Sequence, residues 1–240
     1  MPGRASLSHG SEAHPRRSFL SDFILGSQDG LVNVLGILLG VAAASSDLRL
    51  ILVATLAALG AESISMGAVA YTSTAARRRF YLGEEERERR EMREVPETER
   101  SEVREVLARW GFAGETLDRL LGLICENPQA MLEFMMAFEL RLQPVDAEEP
   151  AKSGLTVFAA TVVGSFVPLV PFLLLAQDLH AAVLAAVVLS GIVLFLIGRY
   201  EARTTNSPVW RSGVTMLVIG LSAGFAGFLI GHFLGAPGGL

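Results

Sequence analysis

Residues 50–94 read LILVATLAALGAESISMGAVAYTSTAARRRFYLGEEERERREMRE, and the change of character along this stretch decides the fold. As far as Ala76 the side chains are mostly apolar, over a length that crosses a bilayer core of about 30 Å at about 1.5 Å per residue. From Arg77 to Glu94 most residues are charged, yet the run holds no proline and one glycine, and strong helix formers fill it. One helix can therefore leave the membrane and continue into water.

The rest of the chain divides in the same way. Hydrophobic residues make up 51% of the 240 and charged residues 19%, and mean hydropathy is +0.44. A soluble domain usually carries about 25% charged residues. Residues 77–152 hold 18 of the 25 acids and 13 of the 20 bases, so the flanks are almost uncharged. An all-soluble globule and a disordered chain are both excluded. Five apolar stretches reach spanning length, roughly 22–45, 50–76, 154–176, 179–198 and 212–235. The expected fold is an all-α membrane protein with five transmembrane helices and a helical, metal-binding cytoplasmic insert between the second and third. Its parts are a disordered cytoplasmic tail (1–18), spans one and two (19–76), the insert (77–152) and spans three to five (153–236).

Lys and Arg set the orientation. Arg4, Arg16 and Arg17 precede the first span, 13 bases lie in the insert, and Arg199, Arg203 and Arg211 lie before the last span; the opposite side has Arg49 alone. The N-terminus and insert are thus expected in the cytoplasm and the C-terminus across the membrane. RRSFL at 16–20 resembles a twin-arginine export signal, but Asp29 within the following apolar stretch and the spans beyond it favour an anchor. His9 and His14 in the tail have no supporting ligands. The single Cys125, in LGLICENP, excludes an intramolecular disulfide framework and reads as a small buried residue. The net charge of −5 comes from the insert, and nothing is basic enough to suggest nucleic acid. An acidic module facing water points to cations.

Within the insert, Pro96 ends the long helix. Further helices are expected near 97–110, 115–125 and 128–142, the last starting at Pro128, where a missing N–H costs nothing. Glu84, Glu88 and Glu91 share one helix face, and Glu99, Glu102 and Glu105 repeat the spacing beyond Pro96. Folded back on each other, the two helices would bring Glu88 and Glu91 to Glu99 and Glu102, where mutual repulsion of the carboxylates invites a divalent cation. A solvated Glu-Arg face has the same spacing, and on spacing alone that reading stands ahead. In MLEFMMAFELRL, Met135 and Met136 lie four and three residues before Glu139. Thioethers beside carboxylates suit a borderline transition metal better than calcium or magnesium, although a Met stripe by itself packs cores.

Inside the spans, Asp29 sits in LGSQDGLVNVLG, and Glu62 and Met66 sit one helical turn apart in LGAESISMGAVAY. An ionisable group in a span is a functional hypothesis by default. Paired across the first two spans, these residues would supply two carboxylates and a thioether; Asp29 could also lie near the membrane surface. Pro168 and Pro171 in GSFVPLVPFLL are expected to kink or unwind the third span. His232 reads as a packed or interfacial residue.

SQDGLVNVLGILLGVAAA, ESISMGAVAY, the Glu-rich extension, FMMAFEL, GSFVPLVPF and SPVWRSGVTMLVIGLSAGFAGFLIG resemble, in that order, the vacuolar iron transporter family over about residues 20–235. The resemblance implies a five-span homodimer that exchanges protons for ferrous iron, and in some members manganese. It implies a pathway between the subunits and a cytoplasmic helical domain that captures metal. It places the pathway aspartate at Asp29 and the pathway methionine at Met66. The capture glutamates fall at Glu88, Glu91, Glu99, Glu102 and Glu139, and the adjacent methionines at Met135 and Met136. The chain departs from the family at Val69-Ala70, where many members have Gly-Glu, and at Gln28, where they have Asn. Its second-span carboxylate is therefore Glu62, two turns earlier.

The expected function is export of iron(II) or manganese(II) from the cytoplasm by proton antiport, with no enzymatic activity and no permanently bound cofactor. The metal is the transported substrate. The expected membrane is the plasma membrane in a prokaryote or an endomembrane, such as a vacuole's, in a eukaryote. Two alternatives remain. A di-iron oxidase would need a Glu-x-x-His pair, and 77–152 has no histidine. A membrane-anchored metal sensor would leave Asp29 and Glu62 without a purpose.

Overall fold

The computed structural model describes residues 17–204 and 207–235. The expected disordered tail, with His9 and His14, lies outside the described residues except for Arg17 and Ser18, which already belong to the first helix. Along the chain the helices are α1 (Arg17–Ala44), α2 (Leu48–Glu94), α3 (Pro96–Arg109), α4 (Gly114–Cys125), α5 (Pro128–Phe134, continued by a π-helical turn Met135–Glu139), α6 (Glu149–Leu174), α7 (Leu179–Thr204) and α8 (Val209–Leu234). No strand occurs among the described residues. The stretch that turns from apolar to charged is one helix of 47 residues.

The chain forms two compact units, one of residues up to Tyr71 and from Ala151 onward, the other Thr72–Pro150. In the first, α1 packs against α7 and α8. Methyl groups at Gly227 and Gly231 would overlap the backbone oxygens of Gly36 and Gly40, so only glycine permits the close α1–α8 approach. Val34, Leu35 and Leu38 of α1, Ile51 of α2, Leu169 and Phe172 of α6 and Ala182 and Ala186 of α7 form one buried core. Asp47 starts α2 by accepting hydrogen bonds from the backbone N–H of Arg49 (2.9 Å) and Leu50 (3.4 Å), and Asp178 does the same for α7 through Ala181 (3.0 Å).

Five helices, α1, α2, α6, α7 and α8, are long and apolar enough to cross a membrane. Their outer faces carry large exposed apolar side chains, among them Val53, Ile64, Leu155, Leu184, Val188 and Ile230. Water penalises such a surface and lipid does not, and the chain is an integral membrane protein. Of the kink or unwinding expected at Pro168 and Pro171, the unwinding is not found: α6 is helical through both. Buried Leu169 and Phe172 pack that turn into the core, and membrane helices tolerate proline where neighbours hold the backbone. His232 is exposed, and its ring lies nearly parallel to that of Phe228, one turn earlier on the same helix, at 6.0 Å.

The second unit has its own core of Val103, Leu107, Leu117, Leu121, Met131 and Met135. Gly111, at φ +90°, lets the chain turn out of α3. Asn127 caps α5 by accepting from the N–H groups of Gln129 (3.1 Å) and Ala130 (3.2 Å), with Pro128 in the first turn. Trp110 meets Phe138 edge-on at 4.8 Å and Phe134 at 5.6 Å, which fixes the α3 end against α5 and its π turn.

Candidate metal sites in the spans and in the insert

In the first unit, α1 places Asp29 and α2 places Glu62 and Met66 around one cavity of about 650 Å³, completed by Asn33, Ser65 and Ala223. The three residues expected in the pathway are thus brought together. Asp29 and Glu62 are close enough for their charges to interact. The Asn33 amide nitrogen donates a hydrogen bond to Oε1 of Glu62, while Oε2 is buried with no hydrogen-bond partner. A buried carboxylate oxygen without a partner is costly, and a proton or a cation relieves it. Asn33 was not singled out by sequence reasoning. It follows Asp29 by one helical turn, a spacing that could have flagged it, but its partner lies 29 residues away.

In the second unit, Glu88 and Glu91 of α2 and Glu99 of α3 each place a carboxylate oxygen within 4.8 Å of the others. Glu88 is 2% exposed and Glu99 3%. Those burials do not suit a solvated helix face. Oε2 of Glu88, of Glu99 and of Glu139 are all buried without hydrogen-bond partners. Burial first, and then the charges of Glu102, Glu88 and Glu91, push Glu99 up to about 8. Burial, with the charges of Glu102 and Glu88, lifts Glu139 to about 7. Glu88 and Glu102 are also raised, again chiefly by burial and then by Glu91. All five expected capture glutamates therefore interact as one group.

Arg87 stands among them, 2.8 Å from Glu84, 3.5 Å from Glu91 and 3.7 Å from Glu88. One half-exposed guanidinium against this many carboxylates leaves the cluster short of positive charge. In sequence Arg87 is one of many arginines in a charged run, and nothing marks it. Of the two methionines, Met135 is fully buried and belongs to the apolar core, whereas Met136 is 3% exposed and lies outside that cluster. The π turn Met135–Glu139 carries both thioethers and Glu139; such turns re-aim side chains and are frequent at functional sites. A second cleft of the insert, about 520 Å³, is lined by Arg89, Arg93 and Arg100 and has the wrong electrostatics for a cation.

The class so defined is an all-helical membrane protein with five candidate spans that gathers carboxylate and thioether donors both among its spans and in a separate helical module. The chain belongs to the VIT family, whose model matches residues 20–232. It is 34% identical to Vacuolar iron transporter 1 of Arabidopsis thaliana over 225 residues, which cover 93% of this chain and 90% of that one. It is 33% identical to Vacuolar iron transporter 1 of Oryza sativa subsp. japonica over 228 residues, 93% of this chain and 90% of the relative. Vacuolar iron transporter of Plasmodium falciparum (isolate 3D7) is 28% identical over 234 residues, 94% and 86% of the two chains.

Proposed function

We propose that this protein transports divalent transition-metal ions, iron(II) and by the same chemistry manganese(II), out of the cytoplasm in exchange for protons. The observation that carries the reading is the span cavity, where Asp29 and Glu62 meet beside Met66. In a low-dielectric span two adjacent carboxyls hold protons or a dication but not two bare charges. Proton and metal then compete for the same oxygens, and alternate exposure of that site to the two sides produces exchange. The relatives' names support iron as a substrate and a transport role rather than an enzymatic one. Metal is captured on the cytoplasmic side by Glu88, Glu91, Glu99, Glu102 and Glu139 with Met136, and passes to Asp29, Glu62 and Met66. The excess of bases before the first span and in the insert supports a cytoplasmic N-terminus and insert, with the C-terminus opposite. A second copy of the chain closes the open side of the cavity, because partly exposed carboxylates facing lipid would be costly.

The test is Asp29→Asn in proteoliposomes, which keeps shape and removes the exchangeable proton. Metal-driven proton movement should vanish while metal binding by the insert persists. Wild-type rates of both metal and proton flux in this variant would end the exchange mechanism.

A further inference from the structure

The span cavity is built from two helices that each present one carboxylate and one neutral donor a single turn apart: Asp29 and Asn33 on α1, Glu62 and Met66 on α2. Three of the four have a place in the proposed exchange, and Asn33 has none. Its amide nitrogen is committed to Oε1 of Glu62. An amide is planar, so the bond to Glu62 fixes the whole group and turns its carbonyl oxygen, Oδ1, away from Oε1. Asn33 lines the cavity and is exposed, and its side-chain hydrogen bond to Glu62 runs through nitrogen, not through Oδ1.

We infer that Asn33 is a ligand of the transported cation through Oδ1 and, through its amide N–H, the group that aims Glu62 at the same ion. The inference rests on the transport reading and extends it from three donors to four. Charge counting supports it. Two carboxylates already neutralise a dication, and any further donor in a low-dielectric site must be neutral if the complex is to leave again. An amide oxygen and a thioether meet that condition. They also differ in kind: Oδ1 is a hard donor and the Met66 sulfur a soft one, so the pair sets which metals the site prefers. Loss of Asn33 removes a hard donor and should penalise manganese(II) more than cobalt(II).

Asn side chains also tie membrane helices together without touching a substrate, and the experiment must separate the two roles. Full-length protein in proteoliposomes is assayed for manganese(II) and cobalt(II) flux across a concentration series, in wild type, Asn33→Leu, Asn33→Asp and Asp29→Asn. Calorimetric metal binding by the insert serves as the check that each variant is folded. Asn33→Leu should raise KM for manganese(II) by about tenfold, and for cobalt(II) by less, with the maximal rate little changed. Asn33→Asp keeps an oxygen and adds a third negative charge, so KM should fall and the maximal rate fall with it as release slows. Unchanged KM values in Asn33→Leu, or a loss of maximal rate alone in both Asn33 variants, would return Asn33 to helix packing and overturn the inference. That result, with Asp29→Asn inactive and wild type active, leaves the transport reading standing. Absence of metal flux in wild type removes both.

Discussion

Met135 and Met136 are neighbours in the chain with different surroundings, which makes them a test of ligand against filler. Met135 belongs to the apolar core of Val103, Leu107, Leu117, Leu121 and Met131, where leucine matches its volume and apolarity. Met135→Leu should therefore cost under about 1.5 kcal/mol of stability and leave metal preference nearly unchanged. Met136 is equally shielded from solvent but stands outside that cluster, on the same π turn as Glu139. Met136→Leu should keep the fold and reduce the preference for iron(II) or cobalt(II) over magnesium and calcium, which want oxygen only. Competition calorimetry on the full-length protein separates the two. Equal selectivity in wild type and Met136→Leu would assign both thioethers to packing. At this scale sequence spacing shows that a thioether shares a face with Glu139. It does not show which one, because a π turn shifts the register by one residue and the pattern of apolar side chains carries no mark of it.

The α2 end and α3 form the element on which capture would depend, and its carboxyls carry a pH signature. Glu99 is lifted to about 8 and Glu139 to about 7, both above the ordinary carboxylate range of about 4.5. A carboxyl whose pKa is raised by folding binds more protons folded than unfolded between those two values, so stability falls as pH rises through that window. Metal-free protein should therefore lose insert stability between about pH 5 and 8. Bound cobalt(II) should reverse the trend, since it replaces the protons on the same oxygens. Trp110 reports the insert, and unfolding followed by its fluorescence on a Trp210→Phe background measures both effects. Glu99→Gln should flatten the metal-free dependence; an unaltered slope would mean that Glu99 is not the group responsible. The helices of the insert are legible in sequence because their boundaries have chemical causes: Pro96, Gly111, and Asn127 with Pro128. The meeting of Glu88 and Glu91 with Glu99 is legible only as one of two arrangements, because a solvated Glu-Arg face has the same spacing. Which carboxylates lose their water is not legible. Glu88 and Glu99 are buried while Glu91 and Glu102 stay half-buried, and that depends on how α3, α4 and the π turn close over the hairpin. The continuity of α6 was hidden for a similar reason: two prolines argue for a break locally, and only the packing of Leu169 and Phe172 overrides them.

For the whole molecule, the proposed exchange makes a quantitative statement about coupling. Asp29 and Glu62 are the carboxyls that line the span cavity, so emptying the site of one dication leaves room for two protons. Two protons for one dication moves no net charge, and the membrane potential should then neither drive nor oppose transport. Each proton carries about 1.4 kcal/mol per pH unit, so two protons support a metal gradient of about a hundredfold per pH unit at equilibrium. Vesicles whose interior corresponds to the non-cytoplasmic side, held one pH unit more acidic inside, should accumulate manganese(II) toward that ratio. They should release it when a protonophore collapses the gradient, and a more alkaline interior should give no accumulation. Imposing a potassium diffusion potential at constant pH should change nothing. A clear voltage dependence would show that one carboxyl keeps its charge state through the cycle, and the plateau would drop to about tenfold per pH unit, the value for a single exchanged proton. In that case only one of Glu62→Gln and Asp29→Asn should abolish coupling, and the inactive variant identifies the carboxyl that exchanges its proton. If both carboxyls exchange, Glu62→Gln and Asp29→Asn should each destroy the hundredfold plateau, and the number of essential carboxyls will equal the number of protons moved.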